Sequence, residues 1–182
     1  MSKIAIITDS TSDLEIELAK KLNFHILPLR VVFSDTEQYL DGIEITPEEV
    51  YARMPEETPG TSMPDPGEIR ELFQKLQDEG YTQIITIHIS SGLSSTLDVV
   101  RSVAQDFPDL EIEAIDSKAL SMGLGLLVLK AVRLRELGYK FKDIVEQVYE
   151  TQKRIKIFFV VRTLEYLKKG GRIGLVQGTL GE

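Results

Sequence analysis

The chain has 182 residues, 42% of them hydrophobic and 27% charged, with a formal net charge of −8 and no cysteine. That length suits one domain, or one domain and part of another, with apolar content enough for a globular core. The acidic balance without a long basic run argues against nucleic-acid binding, where phosphate contacts dominate affinity, and the missing cysteines exclude disulfides, thiolate nucleophiles and cysteine metal sites.

Met1-Ser2-Lys3 leads directly into Ile4–Thr8, an apolar run too short for a signal-peptide core. No stretch approaches the ~20 apolar residues of a membrane span. The expectation is a cytoplasmic protein without stable membrane insertion. Ile4–Thr8 reads as the first of five strands; the others are Ile26–Phe33, Ile84–Ile89, Glu111–Ile115 and Ile157–Val161. They are β-branched and mostly continuous, as in a parallel sheet covered on both faces.

Helices fall between them. Ser12 and Glu15 have capping-box spacing before Ile16, and Thr46-Pro47-Glu48-Glu49 and Asp65-Pro66-Gly67-Glu68 repeat that spacing with proline at the first helical position. Further helices are expected near Ser94–Gln105, Lys118–Leu137 and Lys142–Lys153, with Gly138 as a stop signal. Residues 55–66 form the main loop. The alternation predicts an α/β fold: a three-layer, parallel-sheet domain over residues 1–155 and the start of a second α/β domain over 156–182. Leu175–Glu182 looks like a helix that has barely begun, as if the architecture continued past the last residue.

Hydroxyl residues crowd the passages from strand to helix: Thr8-Asp9-Ser10-Thr11-Ser12, Thr61-Ser62, Ser90-Ser91-Gly92-Leu93-Ser94-Ser95-Thr96 and Asp116-Ser117. Ligands of open α/β sheets bind outside the carboxyl ends of the strands, and helix N-termini there present free N–H groups to anions. Hydroxyls without accompanying lysine or arginine suit one small anionic head group. Helix capping and turn formation alone account for the same residues in the blander reading.

Catalytic motifs are scarce. There is no phosphate-loop sequence, and Gly123-x-Gly125, within a helix-like run, reads as close helix–sheet packing. His25 and His88 lie in or beside apolar strands, where a histidine is usually a satisfied structural residue. The Ser90–Ser94 segment has no Gly-x-Ser-x-Gly elbow, and His88, two residues upstream on the same strand, is poorly placed as a base. Asp9, Asp41 and Asp116 could bind Mg²⁺ at the sheet edge, which keeps open a phosphotransfer or dihydroxyacetone-kinase-like enzyme domain for a small phosphorylated substrate. A pure interaction domain is the third reading.

The ordered segments Ile6–Ser12, Leu27–Val31, Tyr39–Gly42, Thr61–Pro64, Ile89–Thr96, Asp116-Ser117 and Leu164–Ile173 resemble the DegV family of bacterial fatty-acid-binding proteins, and the resemblance runs through essentially the whole chain. It implies a non-catalytic carrier, with a bound long-chain fatty acid as ligand and no cofactor or metal. The carrier presents the carboxylate to a fatty acid kinase, which makes acyl phosphate for phospholipid synthesis. It further implies that Thr61, Ser62 and Ser94 hold the carboxylate with Ser91 close behind, and that Arg172 serves domain docking or kinase contact rather than the carboxylate. Met63, Asp65 and Ser95 depart from the glutamine, serine and glycine usual in the family; Asp65, as an N-cap, should turn toward its own helix. Family members are longer, so by the resemblance the part that covers the acyl tail is missing from these 182 residues.

Overall fold

The computed structural model describes residues 3–54 and 56–172. The chain opens with β1 (Ile4–Asp9), a 3₁₀ turn (Ser10–Ser12), α1 (Ile16–Leu22) and β2 (His25–Leu27). It continues through β3 (Arg30–Ser34), β4 (Glu37–Leu40), α2 (Pro47–Arg53), β5 (Gly60–Ser62) and α3 (Pro66–Asp78). Then come β6 (Gln83–His88), α4 (Thr96–Ala104), β7 (Glu111–Asp116), α5 (Met122–Glu136), α6 (Phe141–Gln152) and a short α7 (Glu165–Lys169).

Four strands form a parallel sheet in the order β2-β1-β6-β7. Alternation along the strands divides the core between its two faces. Ile4, Ile6, Ile85, Ile87 and Ile115 pack with Ala19 of α1, Leu124, Leu127 and Val128 of α5, and Ile144 and Val148 of α6. Ala5, Ile7 and Ile84 pack on the other face with Ile69, Phe73 and Leu76 of α3 and Val100 and Val103 of α4. Each fully buried side chain of this kind contributes about 1.5–3 kcal/mol. The chain builds β2 on one side of β1 and later β6 on the other, so the topological switch point lies between the carboxyl ends of β1 and β6.

Several elements depart from the sequence expectation. The single strand expected over Ile26–Phe33 is two: β2 pairs with β1, then Pro28, which lacks a backbone donor, ends the ladder and the chain enters a second, antiparallel sheet of order β4-β3-β5. Its edge strand β5 lies in the segment read as loop, with Val31 opposite Thr61 and Arg30 opposite Ser62. Ile157–Val161 is not a strand; no ladder forms there among the described residues, and Phe158 and Val160 are 92% and 99% exposed. Helix α5 starts at Met122 rather than Lys118 because Lys118 and Ser121 both take positive φ. Gly123 and Gly125 bring α5 against the Ile157 side chain and the backbone of Ser12, not against the sheet.

The capping boxes at Thr46 and Asp65 form with both reciprocal bonds. The one expected at Ser12 does not: α1 starts from Glu15 without a side-chain cap, and Ser12 is buried in the 3₁₀ turn. Gly138 closes α5 at φ +79°. Among the described residues beyond 155, no separate domain is delineated, and the helix expected over Leu175–Glu182 lies outside them. No helix among the described residues is long and apolar enough to cross a membrane.

Candidate functional site

A cavity of about 420 Å³ opens at the switch point. Thr11 and Ile89 reach it from just beyond β1 and β6, and Leu93, Ser94 and Ser95 from the loop that follows β6. Thr61, Ser62 and Met63 enter from β5 of the second sheet, and Leu29, Leu120 and Arg172 complete the wall. The small sheet thus delivers two exposed hydroxyls to the edge of the large one.

Local hydrogen bonds shape each wall. Ser90 accepts from the N–H groups of Leu93 (2.8 Å) and Ser94 (3.2 Å), curling the loop into a turn that presents Ser94. The Ser94 hydroxyl lies 2.8 Å from Thr96 Oγ1 and accepts from the Thr96 N–H, which stands at the start of α4. The helix is capped from one residue further out than its N-cap residue Ser95, whose side chain makes no cap bond. Arg172 donates from Nε to the Leu93 carbonyl at 3.1 Å, tying the last described residue to the same loop.

Of the expected site residues, the structure therefore brings Thr61, Ser62, Ser94 and Arg172 to one cavity. It sets Ser91 aside: that hydroxyl donates to Asp116 Oδ2 at 2.6 Å and does not line the wall. Burial pushes the Asp116 carboxyl up, yet bonds from Ser91 and the Lys118 and Ser91 N–H groups outweigh it and leave it below its ordinary value. Asp116 is occupied in fixing two turns. Asp9 is fully buried, and Asp41 lies along a different groove, so the three carboxylates weighed for Mg²⁺ do not converge. Among the described residues no group of three or more histidine, cysteine or acidic side chains is placed to hold a metal ion.

That other groove, about 700 Å³, runs beside α1 and β2. Asp13, Glu15, Glu17 and Asp41 line it, with Lys20 the one basic side chain besides His25, and Lys20 is already paired with Glu17 at 2.6 Å. Four carboxylates make it the wrong environment for an anion, so the smaller cavity at the switch point is the better candidate.

Behind the candidate site lies a buried polar chain. Asp9, Thr86 and His88 share the sheet face that carries Ala5, Ile7 and Ile84. Asp9 Oδ2 faces His88 Nδ1 at 2.9 Å and accepts from the Ile89 N–H at 2.9 Å. Its Oδ1 accepts from the N–H of Thr11 at 3.1 Å and from the Thr11 hydroxyl. The far imidazole nitrogen meets the Thr86 hydroxyl. Burial pushes the Asp9 carboxyl up, but the His88 and Thr11 bonds, the His88 charge and the Ile89 N–H hold it below the usual carboxylate range. His88 is the satisfied interior histidine its setting in an apolar strand predicts. The sequence shows Thr11 among the hydroxyls that crowd the exit of the first strand but gives no sign of Leu29 or Leu120 as lining residues, and Asp9 reads there as a turn or metal residue. The available signal was an aspartate and a histidine at the ends of two strands that read as buried.

A family model described as "Uncharacterised protein, DegV family" matches residues 3–182. Over all 182 residues the chain is 40% identical to a DegV domain-containing protein of Clostridium acetobutylicum, of which it covers 65%. Its fold matches the crystal structure of DegV from Bacillus subtilis, described as a fatty acid binding protein, with a TM-score of 0.92 at 31% identity, covering 100% of this chain and 65% of that one. A stearic-acid-binding protein from Eubacterium ventriosum matches with a TM-score of 0.82 at 34% identity, over 97% of this chain and 61% of that one. The chain spans less than two thirds of the length of each of these proteins.

Proposed function

The chain belongs to the DegV family, and from that membership we propose that it is a non-catalytic carrier holding one long-chain fatty acid by its carboxylate. In this reading a fatty acid kinase takes the presented carboxylate as its substrate and forms acyl phosphate. The observation that carries the proposal is the convergence of Thr61, Ser62, Ser94 and Arg172 on one cavity whose remaining walls include Leu29, Met63, Ile89, Leu93 and Leu120. Hydroxyls and a guanidinium at one place, with apolar side chains around them, match a carboxylate attached to a hydrocarbon tail.

Head and tail have separate tasks. Burying an acyl chain contributes about 0.8 kcal/mol per methylene, roughly 10 kcal/mol for a long chain before association costs. A hydrogen bond to a charged acceptor contributes about 1.5–3 kcal/mol. The tail supplies affinity, while the hydroxyls fix orientation and reject esters that lack the charge. In this reading residues 156–182 belong to the beginning of the part that covers the tail. Arg172 ties that segment to the Ser94 loop and lines the same cavity, so this reading departs from the docking role expected of it and gives its positive charge to the head group as well.

Denaturing mass spectrometry of the purified protein's lipid extract, with titration by oleate and by its methyl ester, tests the reading. The expected result is a recovered fatty acid and preference for the free acid, with Thr61→Ala combined with Ser94→Ala weakening oleate binding about a hundredfold or more, by about 1.5–3 kcal/mol for each of the two lost bonds, at a stability cost of about 1 kcal/mol, that of the Ser94 cap. No uptake of oleate, or equal uptake of acid and ester, overturns it.

A further inference from the structure

We propose that Asp9, held by His88, is the positioning residue of the head-group site: it clamps the exits of β1 and β6 at the separation the carboxylate requires. The inference rests on the fatty-acid reading above and goes further by assigning the residue that sets the geometry. Asp9 and His88 are the last residues of two adjacent parallel strands and flank the switch point. Both are fully buried and neither lines the cavity itself. Yet three of the groups that donate to Asp9, two on Thr11 and one on Ile89, belong to residues that do line it.

The clamp reaches the whole site through short covalent and hydrogen-bonded steps. Ile89 leads directly into Ser90, whose carbonyl holds Leu93 and Ser94. On the other side the Thr11 carbonyl accepts from the Ser121 N–H at 2.8 Å, which fixes the turn carrying Leu120. The Ser90 N–H in turn donates to the Ala119 carbonyl at 2.9 Å, closing the ring. Release of Asp9 therefore frees both loops at once.

The chemistry explains why the residue is an aspartate. Four donors converge on it: His88 Nδ1, the Ile89 N–H, the Thr11 N–H and the Thr11 hydroxyl. An ionised carboxylate accepts all four, whereas an asparagine has one accepting oxygen and would turn an NH₂ toward a donor. A buried carboxylate behind an anion site would repel the ligand if it faced outward. Here its oxygens point at donors within the fold, and His88 meets it from the sheet side. Because the carboxylate can only accept, Nδ1 is the donor, and a side-chain amide nitrogen set at that position can replace it.

The test compares wild type, His88→Asn, His88→Leu and Asp9→Asn by oleate affinity, carbon NMR of carboxyl-labelled oleate, thermal unfolding and amide hydrogen exchange. His88→Asn retains a donor for Asp9, so affinity within about threefold of wild type and an unshifted carboxyl resonance are expected. His88→Leu leaves Asp9 short of one charge-assisted bond; affinity should fall about tenfold or more, the resonance should move, and Thr11 and Ile89 amides should exchange faster than those of Leu127 and Val128 in the core. Asp9→Asn should match His88→Leu. Equal loss in His88→Asn and His88→Leu, or unchanged exchange at Thr11 and Ile89 in His88→Leu, overturns the clamp. If His88→Leu fails to fold, the contrast between His88→Asn and Asp9→Asn decides it. If wild type binds no oleate, the carrier reading fails, and amide exchange alone judges the clamp.

Discussion

At Gly125, inside α5, a Cβ would lie 2.7 Å from the backbone oxygen of Ser12. An interior helical glycine normally costs about 1 kcal/mol relative to alanine, so Gly125→Ala would stabilise a free helix. Here the obstacle is backbone, in the 3₁₀ turn that carries Thr11, and it cannot rotate away. Gly125→Ala should instead lose about 1–3 kcal/mol, the usual cost of forcing extra volume into a packed contact. Gly123 is the internal control. Its nearest obstacle is the end of the Ile157 side chain, which can swing aside, so Gly123→Ala should be neutral or mildly stabilising. Urea unfolding midpoints of the two variants check this; a stabilised Gly125→Ala would show that the turn after β1 yields. The glycine pair was visible in the sequence as a close approach, but its partner was not. Spacing shows which face of a helix is bare, not which loop comes to rest on it.

Elements whose signals are local were the legible ones. The caps of α2 and α3 follow from residues three apart, and both form as the spacing predicts. The Ser12–Glu15 pair has the same spacing and fails, because the contact with α5 draws Ser12 into the interior and leaves its hydroxyl without a partner among the described residues. A tertiary contact outweighs a cap worth about 1 kcal/mol. The second sheet was hidden for a related reason. Strand β5 has three exposed residues, no apolar alternation and a partner about thirty residues upstream, so nothing within it announces a strand. Pro28 was the readable clue that the first long strand had to break. Of the site, the hydroxyls of Thr61, Ser62 and Ser94 were legible as a group, while their meeting in space depended on β5. Asp65 shows the separation of cap from site. Its side chain turns to the Gly67 N–H at 2.7 Å, away from the neighbouring Met63 that lines the cavity. Asp65→Ala should therefore cost about 1 kcal/mol of stability, seen as a lower urea midpoint, with oleate affinity unchanged because β5 is held by β3 rather than by α3. A loss of affinity matching the loss of stability would show that α3 sets the position of Thr61.

Across the whole molecule, the buried titratable groups make stability depend on acidity in two separate windows. His25 lies partly inside the fold with Nε2 lacking a partner among the described residues. Burial, then the charge of Lys75, lowers its proton affinity, with Arg135 adding to this and Glu79 opposing. The folded state therefore prefers the neutral ring, while the unfolded chain binds a proton below about pH 6.5. Stability is fully present above that value and falls as pH descends toward the folded value. Asp9 and Asp116 act lower down. Both carboxyls titrate below their ordinary value in the fold, so their contribution is complete above about pH 4 and is lost as pH falls through the folded values. The net charge of −8 moves toward zero over the first window and relieves repulsion, but exposed charges are screened by salt while the buried groups are not. At moderate salt, urea midpoints should decline from about pH 7 to about pH 5 and again below about pH 4. His25→Gln should flatten the first decline alone and Asp9→Asn part of the second. A wild-type midpoint constant between about pH 7 and about pH 5 would remove His25 from this account, and an acid decline as steep in Asp9→Asn as in wild type would remove Asp9.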